Sequence, residues 1–290
     1  MQRSHVVGVL LETGAGHPDL EHPFFHEVLG GLKRRLGADG YDLLLFATEQ
    51  PGNGYGPHSY LMRARHHNVA GVVLMGVPRD DPDVLALAAS DLPCVGVDID
   101  LTGPRCGSVM SDNVLGARLA VRHLHELGHR RIATITGMMH TLPGADRLEG
   151  YRREMETLGI PESEWRIAYG DFYAASGHSE MARLLAAPDP PTAVFAASDL
   201  MAFGALAAAA EAGVDVPGEL SVVGFDDIQL APHVRPALTT VRQDTTALGE
   251  AAGDALLEEL EESPEARVAT RVLPVKLVRR GSTGPCRAVV

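Results

Sequence analysis

The sequence predicts an α/β protein built on two sheets, and three observations carry that expectation. Short apolar runs alternate with helical patterns along nearly all 290 residues, the mark of βαβ units and mostly parallel sheets. Apolar residues make up 45% of the chain and aromatics only 5%, a balance suited to Ala/Val/Leu-rich layers rather than a β-sandwich. About ten strands are many for one strongly twisted sheet, so two sheets are the simpler answer for a chain long enough to hold two cores.

The elements follow in order. Residues 5–11 read as a strand, and 24–37 as a helix with Phe25, Val28, Leu29, Leu32 and Leu36 near a 3.6-residue period. Gly40 breaks it before a strand at 41–48. A glycine- and proline-rich loop at 51–57 leads to a helix at 60–67. A strand at 69–75, a helix at 82–90 and a strand at 93–98 come next. Residues 113–127 form a strong helix, closed by Gly128 and the cations His129, Arg130 and Arg131, which suit its C-terminal dipole. A strand at 132–137, a helix at 145–158 and a strand at 165–169 follow. The helix at 176–187 stops at Pro188 and Pro190-Pro191. A strand at 193–196, a helix at 200–212 and a strand at 220–225 precede a helix at 246–260 and a last strand at 270–277. The Ala-rich 200–212 helix predicts tight packing against a sheet.

Charge and motifs narrow the function. With 38 acids against 25 Lys+Arg the formal charge is −13, which repels phosphate backbones and makes this chain alone a poor nucleic-acid binder. Cys94, Cys106 and Cys286 are scattered and show no CxxC, so reduced thiols and a cytosolic setting are expected. The apolar run at 6–11 is too short for a secretory core, and no window approaches the roughly 20 apolar residues of a membrane span. The reading is a cytoplasmic protein without membrane contact. GxxxxGK[ST] and GxSxG are missing, and the GAG at 14–16 has Asp19 where a dinucleotide loop needs its third glycine. His123 and His125 stand two apart on a helix and face different sides. No cofactor, metal or catalytic chemistry is therefore expected.

Two segments point to a binding site. SVVGFDDI at 221–228 and TAVFAASDLMAFG at 192–204 are apolar strands that each end in a polar pair, and ligands of open α/β sheets bind where strands end.

Further motifs carry a resemblance. PFFHEV at 23–28, SDNVLGA at 111–117, HLHELGHRRIA at 123–133, RLEGY at 147–151 and LSVVGFDD at 220–227 occur in that order, and PALTTVRQ at 236–243 and LPVKLVR at 273–279 continue the series. Over residues 5–280 the chain resembles the effector-binding core of the LacI/GalR family of bacterial transcription regulators. The resemblance implies a two-lobed periplasmic-binding-protein-like fold, each lobe a mostly parallel sheet flanked by helices. It assigns 5–111 plus 243–267 to an N-terminal lobe and 112–242 plus 268–290 to a C-terminal lobe. Chain crossings are implied near 111–113, 241–244 and 266–270.

That family carries a helix-turn-helix head before the first strand, and here only four residues precede it. The expectation is that this domain is absent and that operator DNA is reached only through such a head. The resemblance further implies a homodimer and a small effector, a sugar, held between the lobes. It places Phe24, Phe25, Asp98, Arg147, Phe172, Ser198, Asp226 and Gln243 at the ligand. The chemistry agrees, since carboxylates accept from vicinal hydroxyls, an arginine fork donates, and an aromatic face covers the apolar side of a ring. Bland alternatives stand beside these: Asp226 as a turn cap, Arg147 paired with Glu149 or Asp146, Phe172 as core, one of Phe24 and Phe25 packed under its helix, Asp100 in place of Asp98, and Gln243 as a hinge residue. Serine at 198, where the family often has asparagine, shortens that reach. A transport sugar-binding protein of the same fold is the alternative function.

Overall fold

A computed structural model describes residues 4–11, 22–47, 60–78, 80–261 and 270–286. The 51–57 loop, the GAG at 14–16 and most of the crossing expected at 266–270 lie outside them. The chain separates into two compact units, Met1–Ser111 with Asp244–Leu273 and Asp112–Gln243 with Pro274–Val290.

The first unit's sheet has the order β11 (Arg271–Leu273), β5 (Cys106–Ser111), β4 (Cys94–Val97), β3 (Gly71–Met75), β1 (Val6–Leu11), β2 (Asp42–Phe46), with every pairing parallel. The second unit's sheet runs β12 (Lys276–Val278), β10 (Thr239–Arg242), β9 (Ser221–Asp226), β8 (Ala193–Ala196), β6 (Ile132–Thr136), β7 (Arg166–Tyr169). Only β12 is antiparallel to its neighbour. The two orders correspond strand for strand. In each, the strand that opens the unit lies between the next two, so the order reverses beside it, and such a switch point is where open α/β sheets bind ligands.

β3, β4, β6, β8 and β9 are buried at every residue, as parallel strands covered on both faces must be. Helix α1 (Pro23–Ala38) packs with α8 (Thr245–Glu261) over the first sheet, where Val28, Leu32 and Leu36 share a core cluster with Leu248, Ala252 and Leu256. In the second unit α4 (Asn113–Glu126) is capped by the Asp112 side chain, which accepts from the Leu115 N–H at 2.9 Å. At its other end Gly128 takes φ +93° and the His129 N–H reaches the Leu124 carbonyl, the glycine stop read from the sequence.

Three expectations are corrected. The β5 and β10 strands were not among the predicted elements, because Gly107, Ser108 and Ser111 break the apolar run of one and threonines open the other. The strand expected at 270–277 is two strands in two sheets. Arg271–Leu273 pairs with β5 and belongs to the first unit, Lys276–Val278 pairs with β10, and Pro274 begins the second unit between them. Gln243 falls in the second unit rather than the first. The Ala-rich helix α7 (Asp199–Glu211) does pack tightly, but against another helix as well as its sheet. A Cβ on Gly204 would lie 2.0 Å from the carbonyl oxygen of Ala174 in α6 (Ala174–Leu185).

Candidate functional site

The carboxyl ends of β6, β8, β9 and β10 bring one buried polar cluster together in the second unit. Arg147 lies on α5 (Leu142–Thr157), the helix after β6, and is 4% exposed. Its Nε donates to Asn113 Oδ1 at 2.8 Å and its Nη1 to the Ala197 carbonyl at 2.5 Å. Nη1 also lies 3.6 Å from Asp226 Oδ1 at the end of β9. The guanidinium carbon sits 3.7 Å from the centroid of the Phe225 ring and 5.7 Å from that of Phe172, where the ring quadrupoles attract the cation. Gln243 follows β10 and donates from Nε2 to Asp226 Oδ1 at 2.6 Å. A buried guanidinium and carboxylate are tolerable because each has its partner.

Backbone conformation marks the same places. The described non-glycine residues with positive φ are Asn68, Asp98, Phe172, Asp226 and Asp227. Four of these five follow or end strands, and such sparsely populated conformations cluster at functional sites. Phe172, at φ +76°, lays its ring on Gly137, where a Cβ would come within 1.9 Å of the ring. Only glycine allows that approach.

Asp199, the first residue of α7, is fully buried. It accepts a hydrogen bond from the Thr240 hydroxyl and, at 2.9 Å, from the Ile228 N–H. Those bonds tie helix, strand and the loop after Asp226 together. Burial, then the nearby charge of Asp226, holds its carboxyl well above the usual carboxylate range. Asp227 is engaged by Arg242 and, at 2.6 Å, by Arg280, so Asp226 is the member of the acidic pair that meets Arg147.

The residues expected at the ligand divide between the units. Arg147, Phe172, Asp226 and Gln243 join in the second. Ser198 is there too, but as the cap of α7: its Oγ accepts from the Met201 N–H at 3.1 Å and donates to the Phe172 carbonyl at 2.8 Å. In the first unit Asp98 follows β4, is buried, and accepts from the Ser111 N–H at 3.3 Å, while Asp100 is exposed. Phe24 is the aromatic that packs into the core of its helix, and Phe25 lies half-buried on the flank, with its ring 5.3 Å from that of Phe24.

Sequence reasoning passed over Asn113, Asp199 and Thr136 as site residues. Asn113 and Asp199 stood inside the quoted SDN and SD motifs. Thr136 had only its place at the end of β6 to signal it. Among the described residues, Thr136 Oγ1 and Gln243 Oε1 are buried without a hydrogen-bond partner, an arrangement proteins seldom keep without a use.

Donors, acceptors and an aromatic face converge in the second unit, which is the design of a small-molecule site. Residues 121–283 match the periplasmic binding protein-like domain. The chain is 34% identical over 276 residues to the HTH-type transcriptional repressor PurR of Erwinia tasmaniensis, covering 92% of this chain and 79% of that protein. Among solved structures, a complex of the transcriptional regulator CelR with cellobiose is similar with a TM-score of 0.83 at 33% identity, over 97% of this chain and 85% of that one. The Lac repressor dimer bound to operator and an anti-inducer has a TM-score of 0.82 at 29% identity, over 98% and 95%. Fold and site thus define a ligand-binding protein of the periplasmic-binding-protein-like class. Within that class the chain belongs to the LacI family of transcriptional regulators, as its ligand-sensing core. Its likeness is to regulators, which sets aside the transport reading.

Proposed function

We propose that the second unit's cluster binds an uncharged, hydroxyl-rich effector, a sugar, and that Asp98 and Phe25 supply further contacts from the first unit. The observation that carries this is the Asp226 carboxylate, held between the Arg147 guanidinium and the Gln243 amide beside the Phe172 ring. A carboxylate fixed in this way accepts from paired hydroxyls, and the ring covers the C–H face of a pyranose or furanose. The Gln243 carbonyl and the Thr136 hydroxyl give such a ligand two more partners. CelR, a similar protein, is solved with a sugar bound.

The effector favours whichever conformation it binds better, and an intact regulator reads that preference as altered operator affinity. In this reading the working protein is a cytoplasmic homodimer that meets DNA through a head domain. Sedimentation of the chain as a monomer at micromolar concentration would count against the dimer.

The site is tested by thermal shift against pentoses, hexoses, disaccharides and nucleosides, because a ligand at a hundred times its Kd adds about 2.7 kcal/mol to the native state. A sugar should raise the melting temperature of the wild type and leave that of Asp226→Asn unchanged. A shift with nucleosides alone, or an undiminished shift in the variant, would overturn the assignment.

A further inference from the structure

Away from the candidate ligand residues, two of the three cysteines face each other. Cys94 opens β4 and Cys106 opens β5, and the parallel register makes them direct neighbours. Side chains at paired positions of parallel strands leave the sheet on the same face. Strands lie about 4.8 Å apart, inside the roughly 4.4–6.8 Å Cα separation that a disulfide spans. Both thiols turn to the end of helix α3 (Pro82–Ala88): Cys106 Sγ donates to the Ala88 carbonyl at 3.4 Å, and Cys94 Sγ lies 4.0 Å from the Leu87 carbonyl. Cys94 Sγ also donates to the Leu92 carbonyl at 3.2 Å. Cys94 is fully buried, whereas Cys106 is partly open.

The bland reading is that both are small core side chains. It accounts for Cys94, which packs among Val84, Leu87 and Val72. Cys106 packs against the same cluster, but core packing alone does not require a second thiol at the position paired with Cys94 and bonded to the same helix end. The neighbouring Cys94 thiol holds Cys106 below its ordinary pKa, and the neighbouring Cys106 thiol together with burial raises Cys94 well above its own. The less buried cysteine, Cys106, is thus the readier nucleophile and Cys94 the resolving group.

We propose that Cys94 and Cys106 form a reversible disulfide under hydrogen peroxide. The Cys106 thiolate attacks one peroxide oxygen. An S–O bond forms, the O–O bond breaks, and the departing hydroxide is protonated to water. Cys94 sulfur then attacks Cys106 sulfur. The S–S bond forms, the S–O bond breaks, and the leaving hydroxide takes the Cys94 proton as a second water. Two thiols lose two electrons and the peroxide gains them. The resulting ring encloses β4 and the loop that carries Asp98.

The full-length chain is treated with hydrogen peroxide, alkylated, digested and weighed by mass spectrometry. Expected are the loss of two alkylatable thiols, a peptide cross-linked between Cys94 and Cys106, and full reversal by dithiothreitol. In Cys94→Ser, dimedone should trap a sulfenic acid on Cys106, which then over-oxidises. Both thiols still alkylatable in the folded wild type, or Cys106 passing to sulfinic acid with no cross-link, would overturn the proposal. The wild-type cross-link is read without either variant, so a misfolded serine variant leaves the test standing.

Discussion

Asp98 follows β4 and Asp226 ends β9, strands that hold the same place in two sheets of the same order. Both are buried and both adopt positive φ, +54° and +118°. The bonds described for their carboxyl oxygens differ. Asp98 Oδ1 accepts from the main chain, the Ser111 N–H. Asp226 Oδ1 is met by side chains, the Arg147 guanidinium from α5 and the Gln243 amide after β10. A backbone donor survives most substitutions around it. A side-chain donor makes the acid, its partners and the elements that carry them one coupled unit. Around Asp226 a single change should therefore unsettle both binding and stability.

Breaking the guanidinium should give the largest effect. Arg147→Ala strips partners from Asn113, the Ala197 carbonyl and Asp226, and should cost about 3–5 kcal/mol in denaturant unfolding. A cost below about 1 kcal/mol would show that Asp226 is not coupled to its partners in this way.

A second contrast is polar anchoring at the other end of the second sheet. His129, at the amino end of β6, lies 3.0 Å from both Thr192 Oγ1 and Ser221 Oγ and 3.1 Å from the Gly284 carbonyl. His129→Ala leaves those groups short of a partner and should cost about 1–3 kcal/mol. Burial holds the imidazole below its ordinary value of 6.5, so the unfolded chain binds the proton more readily. The stability that neutral His129 contributes is present above pH 6.5 and is lost as pH falls through the folded value. Hydrogen exchange at pH 5 against pH 7 should show the second unit loosening at acid pH and the variant losing that dependence. Equal loosening of both units would remove the contrast.

Backbone strain sharpens the comparison at Asp98. Asp98→Ala should cost about 1 kcal/mol because alanine resists positive φ, while Asp98→Gly should be close to neutral in stability. Equal destabilisation by both would mean that the carboxylate, not the backbone, holds that turn.

The smallest effect is a slope. The carboxyl of Asp199 titrates above its unfolded value of 3.8, so its contribution to stability is complete below that value and is lost as pH rises through the folded pKa. Asp199→Asn should gain on the wild type as pH rises through that window, measured by urea midpoints. A pH-independent difference would show that Asp199 is ionised throughout.

Much of this molecule was legible as pattern. Buried parallel strands are continuous apolar runs, so 71–75, 132–136 and 221–225 announce themselves, and glycine and proline mark where helices stop. Asp226 stands out because an acid ending an apolar strand needs a reason, whereas Arg147 is reached through the family resemblance. The β5 and β10 strands did not stand out, since Gly-Ser and Thr-Thr stretches become strands only when neighbours on both sides supply the ladder. Ser198, which the resemblance places at the ligand, caps a helix, and an N-cap serine and a binding serine look alike until the helix start is fixed.

The chain by itself determined two repeating strand–helix units, where their strands end, and the kinds of side chain placed there. Periodicity and punctuation are local, and residues a few positions apart already express them. Tertiary structure alone decided that Asp226 rather than Asp227 meets Arg147, that Gln243 joins them, that Arg271–Leu273 and Lys276–Val278 go to different sheets, and that Cys94 faces Cys106. Those pairings link residues distant in sequence, and they are settled only when β-strand register and helix packing close around groups that cannot be buried alone.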